Sequence, residues 1–240
     1  MKTIDHYSGV WDKKDRRYLL DRELISLNFI KGILRPNQKI LDVGCGSGNF
    51  LEHLVQLNKR IQLFGIDYSD SMIKKNSSKH FIFKKVDLNT GILFKDESFN
   101  IVYAGEIIEH IYNPDFFLRE INRVNKKNGY LILSTPNLCA WYNRLLILFG
   151  IQPLFVESST KSNKIGAGIL KKFKGTNVVG HLRIFNKDAI VDLLEANGFK
   201  ILKLRGTTFQ SFPGWLQKID KLFAHLITFS SGFIILARKK

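Results

Sequence analysis

Two carboxylates and an imidazole stand close together in the segment Glu106-Ile107-Ile108-Glu109-His110. Positions i, i+3 and i+4 of a helical turn share one face, so this spacing predicts that the three polar side chains project together. A second histidine, His181, lies further along the chain. Three interpretations are open. In the first, these residues only cap and hydrogen-bond the end of a strand.

The other two interpretations assign chemistry to the same segment. In one, His110 is a general base beside Glu109, since an unperturbed imidazole titrates near pH 6.5. In the other, the two carboxylates and two histidines bind a divalent cation, for which Mg²⁺, Mn²⁺ and Zn²⁺ are candidates. The ligands would be Glu106, Glu109, His110 and His181.

A glycine-rich loop, Gly44-Cys45-Gly46-Ser47-Gly48, follows the short apolar run at residues 39–43. Glycines permit positive φ angles and a close approach of the backbone to a ligand. The spacing is G-x-G-x-G, and Asn49 stands where the dinucleotide fingerprint G-x-G-x-x-G has its third glycine. Asp42 precedes the loop, and a carboxylate there suits a cationic ligand better than a pyrophosphate.

Two more acids follow at the ends of the next predicted strands. Asp67 stands where an acid binds ribose hydroxyls in related folds, and Asp87 is placed to accept from an adenine amino group. Each acid alone would be read as a turn or cap residue. Three acids at three successive strand ends predict a nucleoside site.

Alternating short apolar runs and amphipathic segments predict an α/β sheet wrapped by helices. Strands are predicted at residues 39–43, 62–67, 81–86, 99–104, 130–134, 199–209 and 231–238. Helices are predicted at 17–33, from the glycine loop to about 57, and at 71–77, 115–125, 138–149, 186–197 and 215–226. We therefore expect one domain over 1–240, with residues 138–185 inserted after the fifth strand on the substrate side.

Several segments resemble the class I S-adenosylmethionine (SAM)-dependent methyltransferases. They are ILDVGCGSG, GIDYS, VDLNTG, FNIVYAGEIIEHI and NKKNGYLILSTPN, and the close resemblance covers residues 39–137. The resemblance implies a three-layer, Rossmann-like, seven-stranded and mostly parallel sheet with SAM as cofactor. The cofactor-binding residues it implies are Asp42, Gly44, Gly46, Gly48, Asp67, Tyr68, Met72, Asp87 and Leu88.

The Glu-x-x-Glu-His element is similar to metal-binding elements of ubiquinone-pathway O-methyltransferases and of small-RNA 3′-terminal 2′-O-methyltransferases. The C-terminal half resembles methyltransferases of bacterial surface-polysaccharide pathways. Arg183, just before a predicted helix, and the aromatic residues Trp141 and Tyr142 of the basic inserted segment are expected on the acceptor side. The leading hypothesis is O-methylation of a sugar or glycan, free or linked to a nucleotide or lipid. The alternatives are RNA ribose 2′-O-methylation and a ubiquinone-type small aromatic acceptor.

The charge distribution bears on the acceptor and on location. The chain has 37 Lys and Arg against 21 Asp and Glu, a net charge of +16, and residues 138–187 contain eight basic residues but one acid, Glu157. This excess predicts an anionic acceptor or peripheral contact with an acidic membrane, unless the segment is simply a solvated loop. Nucleic acid is less favoured because the basic residues form no recognition motif.

Two cysteines and no apolar signal core predict a cytoplasmic protein, with the inner face of the membrane as an alternative.

Overall fold

The computed structural model describes residues 19–57, 60–69, 81–172, 174 and 176–240. The predicted cofactor residue Met72 and the predicted helix at 71–77 lie outside the described residues. Within the described ranges, no helix is both long and apolar enough to cross a membrane.

Seven strands of the described chain form one sheet. They are β1 Lys39–Val43, β2 Gln62–Asp67, β3 Ile82–Lys85, β4 Phe99–Gly105, β5 Asn125–Pro136, β6 Phe199–Thr207 and β7 Gly232–Lys239. Their order in the sheet is β3-β2-β1-β4-β5-β7-β6. Strands β1 to β5 pair in parallel, whereas β7 runs antiparallel to both β5 and β6. The predicted mostly parallel α/β sheet is therefore confirmed.

Helices cover both faces of the sheet because side chains alternate between the faces along each strand. The described helices are α1 Asp21–Ile33, α2 Asn49–Val55, α3 Pro114–Val124, α4 Trp141–Leu148, α5 Lys187–Ala196 and α6 Gly214–Ala224. On β1, Ile40 belongs to one buried cluster with residues of α1 and α2, and Leu41 belongs to another with residues of α3 and α5. The result is three layers.

Local signals set several element boundaries. The side chain of Asn113 accepts from the backbone N–H of Phe116 at the start of α3, and Asn186 caps α5 by accepting from Ala189. Strand β5 is longer than predicted, because its end at Pro136 pairs with Gly232 of the distant strand β7.

The two chemically interesting segments lie at the switch point of the sheet. Strands β1 and β4 are neighbours, and the chain continues outward from them in opposite directions. Ligands of open α/β sheets bind in the crevice at the carboxyl ends of such strands. The glycine loop follows β1 there, and residues 106–110 follow β4.

The 138–185 segment begins and ends next to one buried residue, Asn137. Asn137 forms an isolated parallel bridge with Phe185, and the backbone N–H of Leu138 donates to the Phe185 carbonyl at 2.9 Å. The Asn137 side chain donates to the carbonyls of Thr228 and Ser230. The ends of the 138–185 segment therefore share one anchor near the carboxyl end of β5.

Candidate functional site

The glycine loop leaves an open space above its backbone. Gly44, Gly46 and Gly48 have φ angles of +76°, +49° and +73°, which favour glycine. A Cβ atom at Gly46 would have no heavy atom of the described residues within 4 Å. The backbone N–H of Gly46 donates to Asp67 Oδ2 at 2.9 Å. A ligand that approaches the loop closely would thus meet a bare peptide and a carboxylate together.

The predicted acids lie around this loop. Asp42 is buried, and burial, followed by the nearby charge of Asp67, raises the pKa of its carboxyl well above the usual value. Asp67 Oδ1 accepts from the backbone N–H of Ser69. The backbone N–H of Val86 donates to the Asp67 carbonyl at 2.9 Å, which brings Asp87 beside β2.

The remaining described cofactor candidates lie nearby in the chain. Leu88 is buried directly after Asp87, and Asp87 Oδ1 accepts from the backbone N–H of Asn89. Tyr68 is half-buried, with the Lys85 ammonium 5.3 Å from its ring centre. Their contact with the cofactor stays a prediction.

The glycine loop and the Glu/His segment touch. A Cβ atom at Gly44 would lie 3.0 Å from the Ile107 side chain, closer than ordinary packing allows. Glycine is therefore required at position 44 both by its positive φ and by this approach. A ligand in the loop would lie next to the Glu/His segment.

Residues 106–110 do not form the single helical turn that their spacing predicted. Only Ile108–His110 is a 3₁₀ helix, and Glu106 has a φ angle of +54°, which turns the chain before that helix begins. Glu106 instead accepts from the Ser134 hydroxyl at 2.9 Å and lies 3.9 Å from the Arg22 guanidinium. The prediction of one shared helical face is wrong for Glu106.

Three of the four predicted metal ligands do come together. The possible ligand atoms of Glu109, His110 and His181 all lie within 4.8 Å of one another. Glu109 is fully buried; its Oε2 accepts from the Thr135 hydroxyl at 3.1 Å, while its Oε1 has no hydrogen-bond partner among the described residues. Burial, and then the charge of Glu106, raise the pKa of Glu109 well above the usual value. A buried carboxylate oxygen without a donor fits a cation.

Both imidazoles are oriented by backbone carbonyls. His110 Nδ1 lies 3.1 Å from the Gly180 carbonyl, and His181 Nδ1 lies 3.0 Å from the Phe155 carbonyl. Because a carbonyl only accepts, these bonds place the proton on Nδ1 and the lone pair on Nε2. Metal-binding histidines commonly have this arrangement.

The pKa values of both rings favour the neutral form. Burial, followed by the neighbouring His181, lowers the pKa of His110 to about 4. Burial also lowers the pKa of His181. The ring centres are 4.8 Å apart, so two neutral imidazoles face the same small volume beside Glu109. This donor set fits a divalent cation.

Ser134 and Thr135 are functional candidates that the sequence analysis did not select. Each hydroxyl donates to one of the two glutamates, Ser134 to Glu106 and Thr135 to Glu109. The signal was present in the sequence, because both residues lie near the end of β5, directly before Pro136 and Asn137.

Two of the predicted acceptor residues connect the 138–185 segment to other parts of the chain, and the third is buried. Trp141 Nε1 donates to Asp220 at 2.8 Å, and Tyr142 is buried. The Arg183 guanidinium donates to the carbonyls of Ile111 and Tyr112. Contact of these side chains with an acceptor stays a prediction.

A row of aromatic rings leads away from the Glu109, His110 and His181 group. Phe155 lies 5.8 Å from the His181 ring and 5.2 Å from Phe209, and Phe209 lies 4.9 Å from Phe212. The row ends at Tyr142, 5.1 Å from Phe212. These rings form an apolar wall on the side of the site where the 138–185 segment lies.

Known proteins are similar to this chain in sequence and in fold. The chain is 28% identical over 209 residues to the mitochondrial ubiquinone biosynthesis O-methyltransferase of Saccharomyces cerevisiae, covering 82% of this chain and 59% of the yeast protein. It is 25% identical over its whole length to an uncharacterized protein of Methanocaldococcus jannaschii, also covered completely. The structure of a SAM-dependent methyltransferase of Thermotoga maritima, described as a possible histamine N-methyltransferase, matches with a TM-score of 0.63 at 20% identity over 99% of both chains.

The family model described as a methyltransferase domain matches residues 13–204. That range contains the glycine loop, the acids at the strand ends and the Glu109, His110 and His181 group. The chain therefore belongs to the SAM-dependent methyltransferases that share this domain.

Proposed function

We propose that this chain transfers the methyl group of SAM to a hydroxyl oxygen, and that a divalent cation held by Glu109, His110 and His181 assists the transfer. The observation that carries the proposal is the buried Oε1 of Glu109, which has no hydrogen-bond partner in the part of the chain that the structure describes and lies beside two imidazoles whose Nδ1 atoms are held by carbonyls. Several relatives are named as ubiquinone biosynthesis O-methyltransferases, which supports oxygen as the acceptor atom.

The glycine loop would hold the amino-acid part of SAM along the peptides of Gly44, Gly46 and Gly48, and Asp67 would bind the ribose. The bound cofactor supplies an electrophilic methyl group on a sulfonium. The chain itself fixes Asp67, because the Gly46 and Ser69 amides both donate to its carboxylate and hold it in one orientation. A preorganised carboxylate loses little conformational freedom when the ribose binds.

The low pKa of His110 favours the cation interpretation over the general-base interpretation. A general base is most effective with a pKa near the working pH, and burial lowers the pKa of His110 to about 4. The same shift keeps the imidazole neutral, which metal binding requires. A cation between Glu109 and the imidazoles would supply positive charge that lowers the pKa of a nearby hydroxyl.

We propose a sugar or glycan hydroxyl as the acceptor, supported by the eight basic residues of 138–187, which favour an anionic nucleotide- or lipid-linked substrate. A ubiquinone-type aromatic acceptor is the second candidate. It is supported by the names of relatives and by the aromatic row that starts at Phe155.

A methyl-transfer screen with isotopically labelled SAM tests these proposals. The acceptors are nucleotide sugars, lipid-linked glycans, dihydroxy-aromatic compounds and RNA 3′ ends, each with and without a chelator. We expect labelled product from a sugar-type acceptor, loss of activity with chelator, and recovery on adding Mg²⁺, Mn²⁺ or Zn²⁺. Full activity of metal-free protein would exclude the cation. Product only from RNA, with steeply salt-dependent binding, would replace the sugar acceptor by RNA ribose.

We also propose that helix α6 rests on an acidic membrane surface. Trp215, Ile219 and Leu222 follow the i, i+4, i+7 spacing of one face of α6, and Leu226 follows two residues after the helix ends at Ala224; all four are exposed. Asp220, the one acid in residues 199–240, is buried and accepts from Trp141 and Ser231. The exposed charges of α6 and the adjacent strand β6 are basic: Lys200, Lys203, Arg205, Lys218 and Lys221. An apolar stripe flanked by cations is typical of interfacial helices.

The membrane proposal predicts binding to vesicles of phosphatidylcholine and phosphatidylglycerol, weakened by salt and absent with phosphatidylcholine alone. Leu222→Ser is expected to weaken vesicle binding several-fold, by about 1–2 kcal/mol, because its apolar side chain no longer enters the interface. Leu93→Ser is the matched control, since Leu93 and Leu222 are both 68% exposed. Equal loss in both variants, or no sedimentation of the wild-type chain with anionic vesicles, would contradict the proposal.

A further inference from the structure

Glu157, the one acid among residues 138–187, uses its carboxylate to hold backbone. Its two oxygens accept from the backbone N–H groups of Val179 at 2.6 Å, Gly180 at 2.6 Å and His181 at 3.1 Å. Hydrogen bonds to an ionised acceptor are stronger than bonds between neutral groups. Glu157 therefore fixes three consecutive peptides of an otherwise irregular segment.

The peptides that Glu157 holds carry the atoms that orient the site. The carbonyl of Gly180 accepts from His110 Nδ1, and the next residue supplies the His181 ring. Phe155, two residues before Glu157, accepts from His181 Nδ1. Phe155 has a φ angle of +71°, a conformation that bulky residues rarely adopt. Residues 155–157 thus orient one imidazole directly and the other through Gly180.

We infer that Glu157 is a positioning residue: by clamping residues 179–181 it sets the orientation of both His110 and His181 and thereby the affinity of the site for a divalent cation. The inference rests on the cation of the proposed function. Without the clamp, residues 179–181 would have to be ordered at the cost of backbone entropy. Both imidazoles would then lose their fixed Nδ1 partners, which normally costs metal affinity.

The test compares the full-length wild-type chain with Glu157→Gln and Glu157→Asp. Gln keeps the size but replaces one accepting oxygen by an NH₂ group that faces backbone donors, whereas Asp keeps the charge on a shorter side chain. Glu157→Gln is expected to weaken Co²⁺ or Zn²⁺ binding about 10–100-fold and to change the visible spectrum of bound Co²⁺. Glu157→Asp should recover part of the affinity. The affinity for SAM should stay at the wild-type value, and so should the metal affinity of Glu195→Gln, an exposed acid on α5.

A metal-free measurement separates failure of this inference from failure of the proposed function. In the wild-type chain, ¹⁵N NMR of the imidazoles should report the Nδ1–H tautomer for His110 and His181, and Glu157→Gln should shift both toward a mixture. If the wild-type chain binds no cation but the tautomers shift, the cation is wrong and the positioning role stands. Unchanged tautomers, or unchanged Co²⁺ affinity in Glu157→Gln, would overturn the positioning role.

Discussion

Replacement of His110 by alanine is expected to lower kcat about 10²–10⁴-fold, the range for loss of a group that assists proton removal from an acceptor. The same variant should purify without a stoichiometric divalent cation, because the carbonyl-oriented imidazole is one of three groups whose ligand atoms lie within 4.8 Å. Single-turnover methyl transfer and elemental analysis of the purified protein measure the two effects.

His225→Ala is the matched control for the histidine substitution, since His225 is exposed beyond the end of α6. The outcomes separate the three interpretations of the Glu/His segment. Lost activity with full activity of metal-free wild-type protein would make His110 a general base. Unchanged kcat with the cation retained would leave only the capping interpretation.

Asp67→Ala is expected to weaken SAM binding by about 1–3 kcal/mol, or about 5–150-fold. The substitution removes the carboxylate proposed to bind the ribose. It also leaves the Gly46 amide, now 2.9 Å from Asp67 Oδ2, without its acceptor. The first loss acts only in the complex with SAM, whereas the second acts on the ligand-free loop as well. Isothermal titration calorimetry with SAM measures the affinity directly.

Two further variants sharpen the Asp67 experiment. Asp67→Asn keeps an oxygen that can accept from Gly46 but removes the charge, so its affinity should fall between those of the wild type and Asp67→Ala. Asp188→Ala removes an exposed acid at the start of α5 and should bind SAM as the wild type does. Wild-type affinity in Asp67→Ala would show that the ribose lies elsewhere.

Much of the sheet was predictable because its signals are local. The predicted ranges 39–43 and 62–67 coincide with β1 and β2, since short apolar runs end at a glycine loop or an acid. The predicted helices at 115–125 and 186–197 match α3 and α5 to within one residue at each end. The extension of β5 to Pro136 was missed, because it depends on pairing with β7 about a hundred residues later along the chain.

The residues of the candidate site were also predictable only in part. The sequence showed Glu109, His110 and His181 as candidates, yet it also grouped Glu106 with them, because a helical turn was assumed. The positive φ of Glu106 and its contacts with Ser134 and Arg22 turn that carboxylate to other partners. When distant residues stabilise the backbone conformation of a single residue, that conformation depends on the tertiary structure and not on the local sequence.

The sequence by itself determined the family, the sheet and the glycine loop beside its acids, because apolar periodicity and the tolerance of glycine for positive φ act over a few residues. Only the tertiary structure decided which polar groups meet. His110 reaches Gly180 across 70 positions of sequence, and Glu157 holds His181 across 24. Such contacts form when packed layers bring remote segments together, and no local pattern encodes their geometry.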